Sequence, residues 1–325
     1  MNINKNKYSI KTCKNDKDWD NFIKKTFKPN VFILSDYLNV EENIKKLFIY
    51  KKEELIAAFP INISKNNKEI IENKFALYTP IKIIERSNST ISKINNENYE
   101  INNFLCDYIT TNFKKILLKF DYTVEDLRPF LWFGYPDYKK KFDIELRYTS
   151  ELNLDKINVD IFKSLFFKNC SNTIRQQIRY SYEKNFKFVE LYSSKIFFDL
   201  ITQTFDIQNS YFDSSFYKKI CEILDKLNKK NLIKMYCIKD HSDQIICCNI
   251  YSFIKNHSAL IYSARSKIVD NKNYSGIFLL IKSFLELKNN KIQTIDLEGI
   301  NSPKRSFYKL GLGGNLQKYF NIKML

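Results

Sequence analysis

Residues 295–320 read IDLEGINSPKRSFYKLGLGGNLQKYF, and several of them are equipped for proton transfer. Asp296 and Glu298 close a short β-run. Side chains alternate along a strand, so residues two apart share a face. Two neighbouring carboxylates on a buried face raise the pKa of at least one, which suits a general base. The structural alternative is that Asp296 bonds to loop backbone while Glu298 caps the next helix. A basic, aromatic turn, Lys304 to Lys309, follows and is closed by Gly311, Gly313 and Gly314. The chain has only six glycines, and four of them lie between Gly299 and Gly314. Glycine is needed where the backbone takes positive φ or approaches something closely, so this concentration points to a shaped site.

Upstream, Tyr274, Ser275 and Gly276 open an apolar helix. Its first N–H groups and positive dipole end could hold an anion, and Gly276 would let a ligand come close. The plain alternative is a core helix capped by Asn273 or Ser275. Arg175 and Arg179 are four apart on another helical pattern. Like charges at that spacing call for an anionic partner, which is either Glu183 or a substrate phosphate or carboxylate. Arg128 and Trp132, near Gly134, could add a stacking surface, though a Trp in an apolar run also suits a core.

The elements that must position these residues fall into two α/β groups. Lys7 to Lys14 reads as a strand, and Asp16 or Asp18 can cap a helix through Trp19, Phe22, Ile23 and Phe27. IKKLFIYKK and ELIAAFPINIS form a hairpin pattern. Arg86 to Glu100 reads as a loop, followed by a helix near Tyr99 to Lys119. LRPFLWFGYPDY and FDIELRYTSELNL look extended. This first unit spans residues 1–150, and the second spans 151–325. The second starts with a long helical pattern from about Lys156 to Lys184, then a strand, FKFVELY. Helices over Lys195 to Gln208 and Ser215 to Lys229 follow, then a hairpin through His241-Ser242-Asp243 and a strand, SALIYSARS. A helix over Ser275 to Leu287, a strand KIQTIDLE, a short helix Pro303 to Lys309 and a strand LQKYFNI complete it. The order implies a mixed sheet with one parallel crossover.

Composition bounds the function. Apolar and charged fractions of 44% and 27% belong to a folded protein. No apolar run reaches the ~18 residues that span a bilayer, and the polar N-terminus lacks the apolar core of a signal peptide. A cytoplasmic location is the expectation. The charge of +17 would attract anionic substrates, a tRNA or an anionic membrane surface. The basic residues are scattered, however, apart from short runs such as Lys139 to Lys141, and Lys, Asn, Ile, Tyr and Phe are abundant, as an AT-rich genome writes by default. Seven cysteines form no CxxC pair, which argues against a disulfide framework and against a metal site. Only two histidines are present, His241 and His257, and no nucleophile motif accompanies either.

Several stretches carry a family resemblance: RPFLWFGY with RYTSELNL, NTIRQQIRYSYEKNFKF, and above all the IDLEG…YKLGLGG…YF ending. The second unit resembles the GNAT acetyltransferase fold. The whole chain resembles the Fem-like branch, whose ending reads D-x-E-G, then F-K-x-G-F-G-G, then Y-F. The resemblance implies two tandem GNAT-like units with mixed, mainly antiparallel sheets flanked by helices, an α/β (α+β) architecture. It implies transfer of an acyl group to an amine. Tyr308 takes the Phe position and Lys309 the Lys position, where a lysine is thought to assist transfer. The expected donor is acyl-CoA or acetyl-CoA, with its pyrophosphate at Tyr274, Ser275 and Gly276. Glu298 would accept the amine proton and Tyr308 would protonate the leaving thiolate. Asp296, Arg175, Arg179, Arg128 and Trp132 would bind an anionic acceptor, such as a nucleotide-amino-sugar of bacterial cell-envelope or polysaccharide synthesis. The GNAT acyl-CoA loop usually reads Q/R-x-x-G-x-G/A, whereas residues 271–276 read NKNYSG and keep only the last glycine. Aminoacyl-tRNA-dependent transfer of the peptidoglycan Fem type is the alternative, although the coiled-coil arm of many such proteins is missing. A non-catalytic GNAT-like binding scaffold is the third reading.

Overall fold

The computed structural model describes residues 7–85, 89–137, 140–269 and 273–325, and the backbone alone at Lys304. The chain divides into two compact units, residues 1–147 with 318–325, and residues 148–317. The sequence reading assigned the last strand to the second unit. Its closing residues belong to the first, because an alternating pattern shows that a strand exists but not which neighbour it pairs with.

In the first unit, β1 (Tyr8–Thr12), α1 (Asp16–Ile23) and a short α2 (Ser35–Leu38) precede the hairpin of β2 (Ile44–Lys51) and β3 (Glu54–Ile63). Asn15, not Asp16 or Asp18, caps α1, its side chain accepting from the N–H groups of Lys17 and Asp18. After β4 (Glu69–Ile71) and β5 (Lys82–Ile83) comes α3, Ile91–Asn112. Thr90 caps α3, so a helix occupies most of the stretch read as a loop; residues 86–88 lie outside the described residues. The expected helix near Tyr99 to Lys119 therefore starts and ends earlier, and its last part is β6 (Lys115–Phe120). Arg128–Leu131 forms a helical turn, α4, where an extended run was expected, with Pro129 in its first turn. The strand order is β1-β2-β3-β4-β6, with the end of β13 (Asn315–Met324) antiparallel to β6. Among the described strands of this unit only β4 and β6 run parallel, and α3 lies between them in the chain. Ile101, Leu105 and Ile109 of α3 are buried with Ile49, Ile61, Ile116 and Leu118 of the strands.

In the second unit the expected long helix is broken. Short 3-10 turns, α5 (Leu165–Asn169) and α6 (Asn172–Tyr182) replace it. Ser164 and Ser171 cap α5 and α6 by accepting from backbone N–H groups, offering the backbone an alternative to a continued helix. Next come β8 (Lys187–Glu190), α7 (Ser194–Ile207), α8 (Ser214–Lys229), β9 (Ile233–Lys239), β10 (Ile245–Ser252) and β11 (His257–Arg265). The helix α9 (Ser275–Asn289), β12 (Thr294–Asp296) and α10 (Pro303–Gly311) precede β13. The strand order is β7 (Asp143–Asn153), β12, β11, β10, β9, β8. β11 and β12 run parallel and every other neighbouring pair of these described strands is antiparallel, so α9 is their one crossover, as the order of elements implied. Ile277, Leu280, Ile281 and Phe284 of α9 are buried in that unit's core with Tyr236, Tyr251 and Ile295. Among the described residues no helix is long and apolar enough to cross a membrane. All seven cysteines are free thiols.

Candidate functional site

β12 is short because its last residue begins a turn. Asp296 is 3% exposed and pairs with Glu151 of β7 and Ala259 of β11, so the strand is central. Its Oδ1 accepts from Thr149 Oγ1 at 2.5 Å and from the Glu298 N–H at 2.8 Å. Leu297 N–H donates to the Ser150 carbonyl. Glu298 is thus not a strand residue on the Asp296 face. It stands one step beyond the strand with φ 55°, in the left-handed region. A non-glycine residue there costs about 1 kcal/mol or more, and the Asp296 carboxylate holds it there. The neighbouring Gly299, which could adopt that conformation freely, does not take it.

Lys309 comes from α10 and secures the same turn from the other side. Its Nζ donates to the Leu297 carbonyl and, at 2.8 Å, to the Glu298 carbonyl. Among the described residues it forms no ion pair with either carboxylate. The Glu298 Oε1 is shut off from solvent and has no hydrogen-bond partner among the described residues, although the residue as a whole is half-buried. Burial, with Asp296 adding repulsion, pushes the Glu298 carboxyl well above the ordinary glutamate range, against the pull of Lys309. Burial also lifts Asp296 to about 6, against hydrogen bonds from Thr149 and the Glu298 N–H. Burial lowers Lys309, against the attraction of Glu298 and Asp296. The cluster therefore holds two carboxyl groups that keep their protons to higher pH than usual and a lysine that gives one up more readily than usual.

Tyr308, beside Lys309 on α10, faces a different space. With Tyr274, Ser275 and Gly276 it lines a cavity of about 280 Å³ at the head of α9. Gln177 of α6, Cys247 of β10 and Arg265 of β11 complete its polar lining. Tyr274 occupies the N-cap position of α9 with φ 60° and no side-chain cap, while Ser275 N–H donates to Asn273 Oδ1. The phosphate-loop pattern read at residues 271–276 lies partly outside the described residues, at 271 and 272. A Cβ on Gly276 would meet nothing within 4 Å, so the protein itself leaves that space open. Burial keeps the Tyr308 phenol protonated well past the ordinary tyrosine range. Burial likewise raises the Cys247 thiol, to about 12, which makes it a poor nucleophile.

The remaining sequence candidates lie elsewhere. Arg175 and Arg179 are on α6 and flank Gln177, but neither lines the cavity. Arg175 donates to Asn172 Oδ1 and Arg179 lies over the Phe167 ring at 5.4 Å; the Glu183 partner is not used. Arg128 and Trp132 belong to the first unit, where Arg128 makes a two-point ion pair with Asp126. The three C-terminal glycines are explained by packing within the second unit. A Cβ on Gly314 would sit 2.2 Å from Ser150 Oγ, and Gly313 has φ 79° with the Asn169 carbonyl 3.0 Å from its Cβ position. Sequence reading missed Thr149, Gln177 and Arg265, whose roles depend on partners distant in the chain.

No protein-family model and no curated protein matches the chain. Solved structures do. The crystal structure of FemX aligns over 96% of both chains with TM-score 0.66 at 12% identity. The fold is Fem-like, of tandem GNAT type. The structure of L-PGS from Bacillus licheniformis aligns over 95% of this chain and 91% of its own with TM-score 0.55 at 10% identity. A tandem GNAT protein from the clavulanic acid biosynthesis pathway aligns over 98% of both chains with TM-score 0.51 at 6% identity. In this fold the parallel pair β11 and β12, with α9 between them, carries both the cavity and the Asp296–Glu298 turn.

Proposed function

We propose that the second unit is an N-acyltransferase that moves an acyl group from a thioester donor to an amine. The observation that carries this reading is the buried, unpartnered Glu298 Oε1, held on a strained turn that Lys309 secures, while Tyr308, next to Lys309 on α10, lines the α9 cavity. A desolvated carboxyl with raised pKa is a stronger base than an ordinary glutamate and matches an amine proton. The acyl carbon of the donor would lie near Tyr308, with the helix head and Arg265 facing anionic groups of the donor. The amine attacks the thioester carbonyl, a water relays the ammonium proton from the cavity to Glu298, and the C–S bond breaks as the tetrahedral intermediate collapses. The Tyr308 hydroxyl supplies a hydrogen bond to the departing thiolate. No enzyme-bound acyl group is needed, and the buried thiol of Cys247 is not equipped for one. In this reading Lys309 acts mainly through the Leu297 and Glu298 carbonyls, by fixing the base. Acyl-CoA is the proposed donor. An amine-bearing envelope or polysaccharide precursor, such as a nucleotide-amino-sugar, is the proposed acceptor.

The charge of +17 favours one other donor, an aminoacyl-tRNA, whose phosphates would meet the basic surface. The two are separated by incubating the chain with labelled acetyl-CoA or labelled aminoacyl-tRNA and an amine acceptor panel. The first reading expects acetyl transfer that rises with pH through the raised Glu298 pKa and drops about a hundredfold or more in Glu298→Gln, the usual range for a lost acid–base group. Full activity in Glu298→Gln with either donor would exclude the base assigned here.

A further inference from the structure

The first unit contains a cavity of about 1380 Å³, all of whose described lining belongs to that unit. Its apolar wall includes Ile83 of β5, Ile91 of α3, Leu131 of α4, Ile144 and Leu146 of β7 and Phe320 of β13. Ile91 is 78% exposed and Leu131 55%, so the rim presents large apolar side chains to solvent. The described polar lining includes four carboxylates, Glu85, Glu97, Glu125 and Asp126, against two cations, Lys82 and Arg128. That balance is the reverse of the chain's own +17.

Both cations are already engaged. Lys82 is fully buried, and its Nζ donates to Asp121 Oδ2 at 2.6 Å, Thr123 Oγ1 at 2.9 Å and the Lys28 carbonyl at 3.0 Å. An ammonium has three donors, so none is left. Arg128 gives Nε and Nη2 to Asp126, and its guanidinium lies over the rings of Tyr99 and Trp132 at 4.8 and 5.8 Å. Acceptors are left over. Asn102 is 3% exposed, its Nδ2 donates to the Asp126 carbonyl, and its Oδ1 has no partner among the described residues. Glu125 forms no ion pair among them, while Glu97 pairs with Lys51. A buried acceptor without a donor is costly, and a ligand N–H removes that cost.

We infer that this cavity binds a cationic amphiphile, an amine or ammonium group carried on an apolar body. The apolar wall takes the body, while Asn102 Oδ1 and Glu125 meet the cationic end. The inference does not depend on acyl transfer in the second unit. Its test is titration of the full chain with octylamine, octanol and octanoate, followed by calorimetry and isoleucine methyl NMR. Octylamine should saturate, shift the methyls of Ile83, Ile91 and Ile144, and bind about tenfold more tightly than octanol, a ratio worth about 1.4 kcal/mol. Octanoate should bind still more weakly. Asn102→Leu should lower octylamine affinity about tenfold, the loss expected for a hydrogen bond to a charged group. Glu125→Gln, at an exposed position that does not endanger folding, should lower it about threefold, in the range of an exposed charge pair. Octanoate or octanol binding as well as octylamine would overturn the inference. So would unmoved methyls at millimolar octylamine, or unchanged affinity in folded Glu125→Gln.

Discussion

At the scale of single residues, Asp296 shows how a buried carboxylate can be both a cost and a tool. Its pKa is raised from 3.8 to about 6, chiefly by burial. The folded state therefore holds this proton more tightly than the unfolded state. The resulting penalty is absent below the unfolded pKa and fully present above about 6, so this group lowers stability as pH rises between those values. Asp296→Asn keeps an Oδ1 acceptor for Thr149 and the Glu298 N–H but cannot ionise. Denaturant melts should show the variant gaining stability relative to wild type as pH rises from about 4 to about 6, by up to ~3 kcal/mol for a two-unit shift. A pH-independent difference would mean that Asp296 ionises freely in the folded chain. In the first unit, Lys82 and Asp121 form a buried pair at 2.6 Å. Lys82→Met should cost about 3–5 kcal/mol, because it leaves Asp121 charged and buried, and chemical denaturation measures this directly. A loss below about 1 kcal/mol would place the pair with weak surface bridges.

At the scale of elements, the glycines separate close packing from open space. Gly314 lies against Ser150 and Gly313 takes positive φ, whereas Gly276 at the head of α9 opens onto the cavity with nothing near its Cβ position. Gly314→Ala should destabilise the chain by about 1–3 kcal/mol, the usual cost of overpacking. Gly276→Ala should leave stability equal or slightly higher, since alanine is the better helix former by about 1 kcal/mol, yet weaken donor binding. Thermal melts and ligand titration on the two variants check both. Equal destabilisation at both positions would mean that Gly276 serves packing. The elements themselves were largely legible. Paired extended runs split by charged or polar turn residues gave both hairpins, and the apolar run opened by Ser275 gave α9. Breaks inside amphipathic patterns were not legible: Ser164 and Ser171 look like ordinary polar positions of one long helix until each is seen capping a new one. The start of α3 was hidden in the polar run ISKINNENYE, where only Thr90 marks a cap. The Asp296–Glu298 site was legible as two carboxylates. Its left-handed turn was not, because Gly299 looks like the residue to take it and Thr149 is 147 positions from its partner.

At the scale of the whole molecule, tandem GNAT-type architecture was legible in the C-terminal motif and in the repeated order of strands and helices. The return of Lys318–Leu325 to the first unit was not, since strand pairing is set by neighbours far apart in sequence. The charge of +17 predicts binding to polyanions that depends on salt. A tRNA gel shift seen near 50 mM salt should disappear by about 200 mM and be competed equally by duplex DNA, as expected of phosphate neutralisation alone. A preference for aminoacyl-tRNA that survives 200 mM salt would move the donor assignment to the second reading. The most direct measurement is calorimetric titration of the chain with acetyl-CoA, beside Gly276→Phe, which should fill the cavity at the head of α9. The account predicts saturable heat with the wild type and none with the variant, both remaining folded. No heat from the wild type at millimolar acetyl-CoA, or equal binding by Gly276→Phe, would contradict it.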